Sequence, residues 1–270
     1  MNDELEGKHG VQSLEVGMGI LKAMVFGKRS MMLKDIAAAA EMPPSKAHRY
    51  LVSLIRSGLV EQDPLTSRYN LGPFALNIGL VAIDRLDRIR LGLAAISELR
   101  DEINETTALA VWGDNGPVIV RWERPRRPIT VNVVTGTTLG VLSSAAGRVF
   151  AAWLPNATRA IVKREVEQRR NLPPGVETLA DADALLASVR DRGLAVISGN
   201  YLFRGVEAAA APVFNFKNEL TMALVIVGVE GSIDMSTESI VLARLKGAAD
   251  ALSLRLGSTR DSDAAAPTAA

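Results

Sequence analysis

The sequence predicts an α+β chain: a small N-terminal winged helix-turn-helix, a linker helix and a larger mixed domain after it. Three observations predict this. Residues 33 to 72 set a short helix, a turn, a second helix and a basic hairpin in the order that a winged helix requires. From residue 73 an apolar helical pattern runs on without a flexible spacer. Beyond residue 92, helices are segregated between antiparallel strand pairs, which argues against a doubly wound nucleotide fold. The expected boundaries are 11–72 for the winged helix, 73–91 for the linker, 92–257 for the larger domain and 258–270 for a tail.

The first helix is expected over residues 12–26, where Leu14, Ile20, Leu21, Met24 and Val25 fall at spacings that pack on the module. Gly17 and Gly19 lower its intrinsic propensity, so tertiary packing must hold it. Leu33 to Ala40 reads as the second helix, Glu41-Met42-Pro43 as the turn and Pro44 to Arg56 as the third helix. A first-turn proline gives up an amide hydrogen that lacks an intrahelical partner anyway. On the third helix Ala47, Leu51, Leu54 and Ile55 share one stripe, whereas Ser45, Arg49, Val52, Ser53 and Arg56 lie opposite. One face packs and the other is left to read. Gly58 stops the helix, and strands at 58–62 and 68–71 flank the turn-forming run Asp63-Pro64-Leu65-Thr66-Ser67.

A recognition helix docks in the major groove of duplex DNA with its amino end inward. The candidate DNA-contacting residues are therefore Ser45, Lys46, His48, Arg49, Ser53 and Arg56, with Arg68 on the hairpin. Arg49 suits a bidentate contact to guanine, Ser45 and Lys46 suit phosphate or base edges, and Arg68 suits the backbone or minor groove.

In the linker, Phe74, Leu76, Ile78, Leu80, Val81, Ile83 and Leu86 exceed what one small domain buries, which predicts a partner helix, most simply from a second copy of the chain. A helix is expected near 92–104, then a hairpin of strands 107–112 and 118–123 about Asp114-Asn115-Gly116, and a third strand at 129–134. Helices follow at about 144–154, 157–169 and 181–192, strands at 194–198, 206–214 and 220–229, and a last helix at 237–256 that ends at Gly257. The Ala/Ser/Asp-rich stretch from Ser258 is expected to be disordered.

Composition narrows the function. With 270 residues, 48% of them hydrophobic, the chain has material for two cores. The net charge is only +1, yet residues 28–72 hold seven basic side chains (Lys28, Arg29, Lys34, Lys46, Arg49, Arg56, Arg68) against four acidic ones (Asp35, Glu41, Glu61, Asp63). The absence of cysteine excludes disulfides and thiolate metal sites and suits a reducing compartment. No export signal and no run of about 18 apolar residues is visible, so the expected location is cytoplasmic, with no membrane partner. The two histidines, His9 and His48, are placed where neither can partner a nucleophile in the larger domain. A phosphate loop is absent, and Gly17-Met18-Gly19 lacks a third glycine and a preceding strand. Asp181 and Asp183 sit near a helix start, where capping is the commoner role. Neither an enzyme, a metal nor a cofactor is expected.

The residues now quoted resemble those of the IclR family of bacterial transcriptional regulators over roughly Val11 to Gly257. The resemblance rests on Val11-Gln12-Ser13-Leu14-Glu15 with Ile20-Leu21; on Ser45-Lys46-Ala47-His48-Arg49 before Leu51; on Asp63-Pro64 before Arg68-Tyr69-Asn70-Leu71-Gly72; on Ser144-Ala145-Ala146-Gly147-Arg148; and on Gly205-Val206 before Ala210-Ala211-Pro212-Val213-Phe214. It implies that the larger domain is a GAF/profilin-like effector-binding domain, and that the protein is a dimer or tetramer that binds palindromic promoter sites and answers to a small metabolite.

Carried over position by position, the resemblance places the effector against Leu139, Ala145, Ala146, Ser198, Ala208, Val225 and Val227. The residues themselves add that Ser143 and Ser144 open a helix, where a hydroxyl cap and backbone N–H groups favour a carboxylate or phenolate. Relatives that sense small polar acids carry an acid at the position of Ser198, a thiol at Ala208 and hydroxyls at Val225 and Val227. The smaller or apolar residues here predict a less polar, roomier site, and so an aromatic carboxylate. Trp112, Trp122 and Tyr201 are candidate stacking walls, and Arg121 and Arg204 candidate counter-ions. The function expected is a ligand-responsive regulator, as repressor, of a catabolic operon. The alternative is a metabolite-binding or enzymatic α+β protein whose winged helix mediates protein contact.

Overall fold

The computed structural model describes residues 10–84, 87–126, 135–169, 171–198 and 205–260. It divides into two compact units, Met1–Leu86 and Asp87–Ala270, each with its own core.

The first unit comprises α1 (Gln12–Phe26), α2 (Leu33–Ala39), α3 (Pro44–Arg56), β1 (Val60–Gln62), β2 (Tyr69–Leu71) and α4 (Pro73–Asp84). Its core gathers Ile20 and Met24 from α1, Ile36 and Ala37 from α2, Ala47, Leu51 and Leu54 from α3, and Val60 and Tyr69 from the wing. Pro44 is the first residue of α3, and the Pro43 carbonyl accepts from the amides of Lys46 and Ala47. Gly58, at φ 74°, reverses the chain into the β1–β2 hairpin. Met31 exchanges two backbone hydrogen bonds with Tyr69, which ties the segment before α2 to the wing.

Two expectations for this unit change. On α1, Leu14 and Val25 do not pack on the module: they are 60% and 55% exposed, with Met18 at 41%. Gly17, Ile20 and Met24 form the inward face instead. Over the described residues the linker helix runs to Asp84, and α5 (Arg88–Ile103) begins earlier than expected, at a cap where Asp87 leaves helical geometry and its carboxylate accepts from the Arg90 amide. Residues 85 and 86 lie outside the described residues.

The second unit continues with β3 (Thr106–Gly113), β4 (Gly116–Glu123), α6 (Ala145–Trp153), α7 (Pro155–Glu167), α8 (Leu179–Arg192), β5 (Ala195–Ile197), β6 (Val206–Phe214), β7 (Leu220–Val229) and α9 (Ile240–Arg255). The strands form one antiparallel sheet in the order β4-β3-β7-β6-β5. Helix α6 covers one face and is backed by α7 and α8, and α5 and α9 cover the other. The expected strand at 129–134 lies outside the described residues.

Cross-strand partners share a face. One row therefore runs Trp122, Ala108, Val225, Ala210, Ala195 across all five strands, and the next runs Thr106, Val227, Ala208, Ile197. In β4 the pairing jumps from Leu109 with Arg121 to Ala110 with Ile119, so Val120 is the extra residue of a bulge. That bulge lets Ile119 and Trp122, three apart, both join the α6 side.

Asp181 closes a capping box at the start of α8, accepting from the Thr178 amide and hydroxyl at 2.8 and 2.7 Å, whereas Asp183 pairs with Arg159. The chain past Gly257 is held further than expected. Ser258 is buried and its hydroxyl donates to Asn218 Oδ1 at 2.9 Å, and the Arg260 guanidinium lies 4.2 Å over the Phe214 ring. Among the described residues, no helix is long and apolar enough to cross a membrane.

Candidate nucleic-acid interface and ligand site

The hydrophilic side of α3 is open. Ser45, His48, Arg49, Ser53 and Arg56 are exposed and Lys46 is half-buried, while Ala47 and Leu51 beneath them are fully enclosed. Val52, expected on the reading face, is partly buried. At the wing, Arg68 is exposed and one guanidinium nitrogen donates to the Ser30 carbonyl at 3.1 Å, so the side chain braces the hairpin as well as presenting charge. The wing tip is shaped by Asp63, whose carboxylate accepts from the Leu65 and Thr66 amides at 2.8 and 3.1 Å. The Thr66 and then the Leu65 amide hold its pKa below the usual carboxylate value.

In the second unit, eight of the residues expected around a ligand meet in one apolar cluster: Trp112, Trp122, Leu139, Ala145, Ala146, Ala208, Val225 and Val227. The sheet supplies a floor rich in alanine, and the buried start of α6 lies over it. Trp112 leans on Phe150 with ring centroids 5.6 Å apart. Trp122 and Trp153 pack against the same cluster, and the indole N–H of each is buried without a hydrogen-bond partner.

The turn that leads into α6 is tightly held. Ser144 is the cap: its hydroxyl accepts from the Gly147 amide at 2.9 Å and donates to the Gly140 carbonyl at 2.6 Å. The hydroxyl expected to meet a ligand is therefore committed to the helix end. Ser143 is buried beside it. Two residues that sequence reasoning did not assign complete the arrangement. Glu165 on α7 accepts from the amides of Val141 and Leu142 at 2.9 and 2.8 Å. Arg148, buried on α6, donates to the Leu142 carbonyl at 2.8 Å and to the Val196 carbonyl on β5 at 3.0 Å. Arg148 stood in the motif that carried the family resemblance, but nothing local marked either side chain as a brace.

Two expected ligand residues do not join the site. Arg121 shares the face of Leu109, whose side chain abuts Gly92 on α5; it is 58% exposed and pairs with Glu123 at 3.0 Å, so it is no counter-ion for the cluster. Ser198 is exposed just past β5 and outside the cluster. Tyr201 and Arg204 lie outside the described residues.

A winged helix with an open reading face, followed by a unit with an apolar cluster under a helix start, defines a DNA-binding regulator with an effector-binding domain. Residues 13–64 match the IclR helix-turn-helix domain, and residues 81–254 match the C-terminal domain of the IclR bacterial transcriptional regulators. The chain belongs to the IclR family of bacterial transcriptional regulators. It is 29% identical over 260 residues to the glycerol operon regulatory protein of Streptomyces griseus, covering 93% of this chain and 98% of that one. The crystal structure of Pseudomonas aeruginosa HmgR superposes with a TM-score of 0.80 and 38% identity over 92% of this chain and 99% of that one. An IclR homologue from Microbacterium hydrocarbonoxydans, crystallised with 4-hydroxybenzoate, shares the fold at a TM-score of 0.52 and 20% identity, over 90% and 98% of the two chains. Curated relatives are named as transcriptional regulators, and this chain is a regulator, not an enzyme.

Proposed function

We propose that the chain represses a catabolic operon in the cytoplasm by binding a palindromic duplex site as a homodimer or tetramer, and that an aromatic carboxylate relieves the repression. The observation that carries the DNA reading is the open polar side of α3 above the enclosed Ala47 and Leu51. The ligand reading is supported by the aromatic walls and aliphatic floor of the second unit and by the start of α6, whose dipole favours an anion. That a relative of the same fold holds 4-hydroxybenzoate supports the same class. Self-association is supported by the apolar side chains that one copy leaves open on α4, where Phe74, Leu76, Ile78, Leu80 and Val81 are each between 46% and 62% exposed.

The test is fluorescence anisotropy of the full chain on the intergenic DNA beside its own gene, across a salt series, with and without aryl acids. Binding is expected to weaken steeply with salt and to be released by an aryl acid. Arg49→Ala should remove about 1–3 kcal/mol of base discrimination, whereas Arg68→Ala should weaken all sequences alike. Salt-insensitive binding, or equal losses on specific and random DNA for Arg49→Ala, overturns this reading.

A further inference from the structure

The row that crosses the whole sheet runs from Trp122 on the edge strand through Ala108, Val225 and Ala210 to Ala195, so that the one aromatic side chain in it is at the edge. The row belongs to the apolar cluster beneath α6, and the indole stands at its end. The bulge at Val120 keeps that indole on the same side as Ile119 and α6 rather than letting strand parity separate them. Bulges of this kind re-aim side chains beside functional sites.

An indole N–H is a donor and nothing else, and folding that buries it unpaired forfeits its water without return. Trp122 Nε1 is in that state. The Ser144 hydroxyl at the start of α6 is engaged by Gly140 and Gly147. In the aryl-acid reading the start of α6 takes the carboxylate. What the site lacks is an acceptor opposite the indole.

We infer that Trp122 is a specificity-determining donor that takes an oxygen on the ligand ring, so that the effector is a ring-hydroxylated aryl acid rather than a plain one. This rests on the aryl-acid reading above. A hydroxyl that reaches the indole satisfies a donor that an unsubstituted ring leaves stranded, and the difference should be at least about tenfold in affinity.

The experiment is calorimetric titration of the full chain with benzoate and with each of the three monohydroxybenzoates, on the wild type and on Trp122→Phe, which keeps an aromatic wall and removes the donor. At least one hydroxybenzoate should bind the wild type about tenfold more tightly than benzoate, and in Trp122→Phe that ratio should fall to about one, whatever the variant's affinity for benzoate. A measurement independent of the variant's folding is the Trp122 indole N–H resonance of the wild type, which should move downfield with the preferred hydroxybenzoate and not with benzoate. A preference that persists in Trp122→Phe, or a wild type that does not distinguish the probes, overturns the inference and leaves the aryl-acid reading standing. Equal loss of all four probes in Trp122→Phe also overturns it, because the indole would then hold the carboxylate itself. If none of the four binds the wild type, the aryl-acid reading falls, and this inference with it.

Discussion

Replacing Gly147 with alanine is the sharpest probe of how the turn at 139–144 is held over the sheet. A β-carbon at Gly147 would lie 2.3 Å from the Val141 carbonyl oxygen and 2.4 Å from that of Gly140, where contacts under 3.0 Å essentially never occur, so the turn must retreat by roughly 0.7 Å. Both neighbours are backbone, and that backbone is pinned by Glu165 at Val141 and Leu142, by Ser144 at Gly140 and by Arg148 at Leu142. Overpacking of this kind costs about 1–3 kcal/mol, and stretching hydrogen bonds to a carboxylate adds about 1–3 kcal/mol more. Alanine's helix propensity returns about 1 kcal/mol, which leaves a net loss of about 1–5 kcal/mol. The assay is urea unfolding followed by tryptophan fluorescence, which reports the second unit alone because Trp112, Trp122 and Trp153 all lie there. Gly247→Ala in the middle of α9 is the control: its β-carbon meets nothing within 4 Å, and it should gain about 0.5–1 kcal/mol. A Gly147→Ala transition as stable as the wild type would refute the pinned turn.

Leu51→Ala removes a fully enclosed side chain under α3 and should cost the first unit about 2–5 kcal/mol, seen as loss of DNA binding while the tryptophan-monitored transition stays in place; a shift in that transition would contradict two independent cores. The lowered pKa of Asp63 means that its support of the wing tip is complete above the unfolded carboxylate's pKa and is lost as pH falls through the folded value. The protection of the Leu65 and Thr66 amides, measured against their intrinsic exchange rates, should therefore fall on the acid side in the wild type and be absent at every pH in Asp63→Ala; identical protection profiles would remove the carboxylate from the argument. Ile78→Glu, on the exposed side of α4, should shift the chain toward monomer in sedimentation velocity, and an unchanged distribution would locate self-association elsewhere.

Local chemistry made much of the fold legible. Pro44 and Gly58 fix both ends of α3, and the alternation of apolar and polar positions along it tells which side faces in. On α1 the same reasoning failed, because the helix carries two apolar stripes, one through Gly17, Ile20 and Met24 and one through Leu14, Met18 and Val25, and periodicity alone does not say which is inward. The strands of the sheet were readable singly, but not their order, since β7 inserts between β3 and β6 and only tertiary pairing determines that. At the ligand site the aromatic and small residues were found from sequence. Arg121 was misplaced because nothing local reveals the bulge beside it or which side of β4 faces α6. Glu165 and Arg148 were missed because their bonds, which span 6 to 48 residues, end on backbone atoms, which leave no mark in a side-chain pattern.

The two leftover apolar stripes on α1 and α4 acquire a meaning when the energetics of base reading are set beside them. Near its start one α3 offers Arg49 with Ser45 and His48, Arg56 lying at the far end, and a good bidentate contact discriminates by about 1–3 kcal/mol. Useful operator recognition against a genome of competing sites takes about 4–10 kcal/mol. One copy falls short of that range; two copies reading a palindrome reach it, provided that the subunits are held together before they meet DNA. Exposed Leu14, Met18 and Val25 on α1 and Phe74, Ile78 and Val81 on α4, all within the DNA-reading unit, are the kind of surface that keeps two reading helices in one particle. Apolar area that looks wasteful in the single chain is in this account a condition for the specificity of α3, and a monomeric variant that retained full operator discrimination would break the link between them.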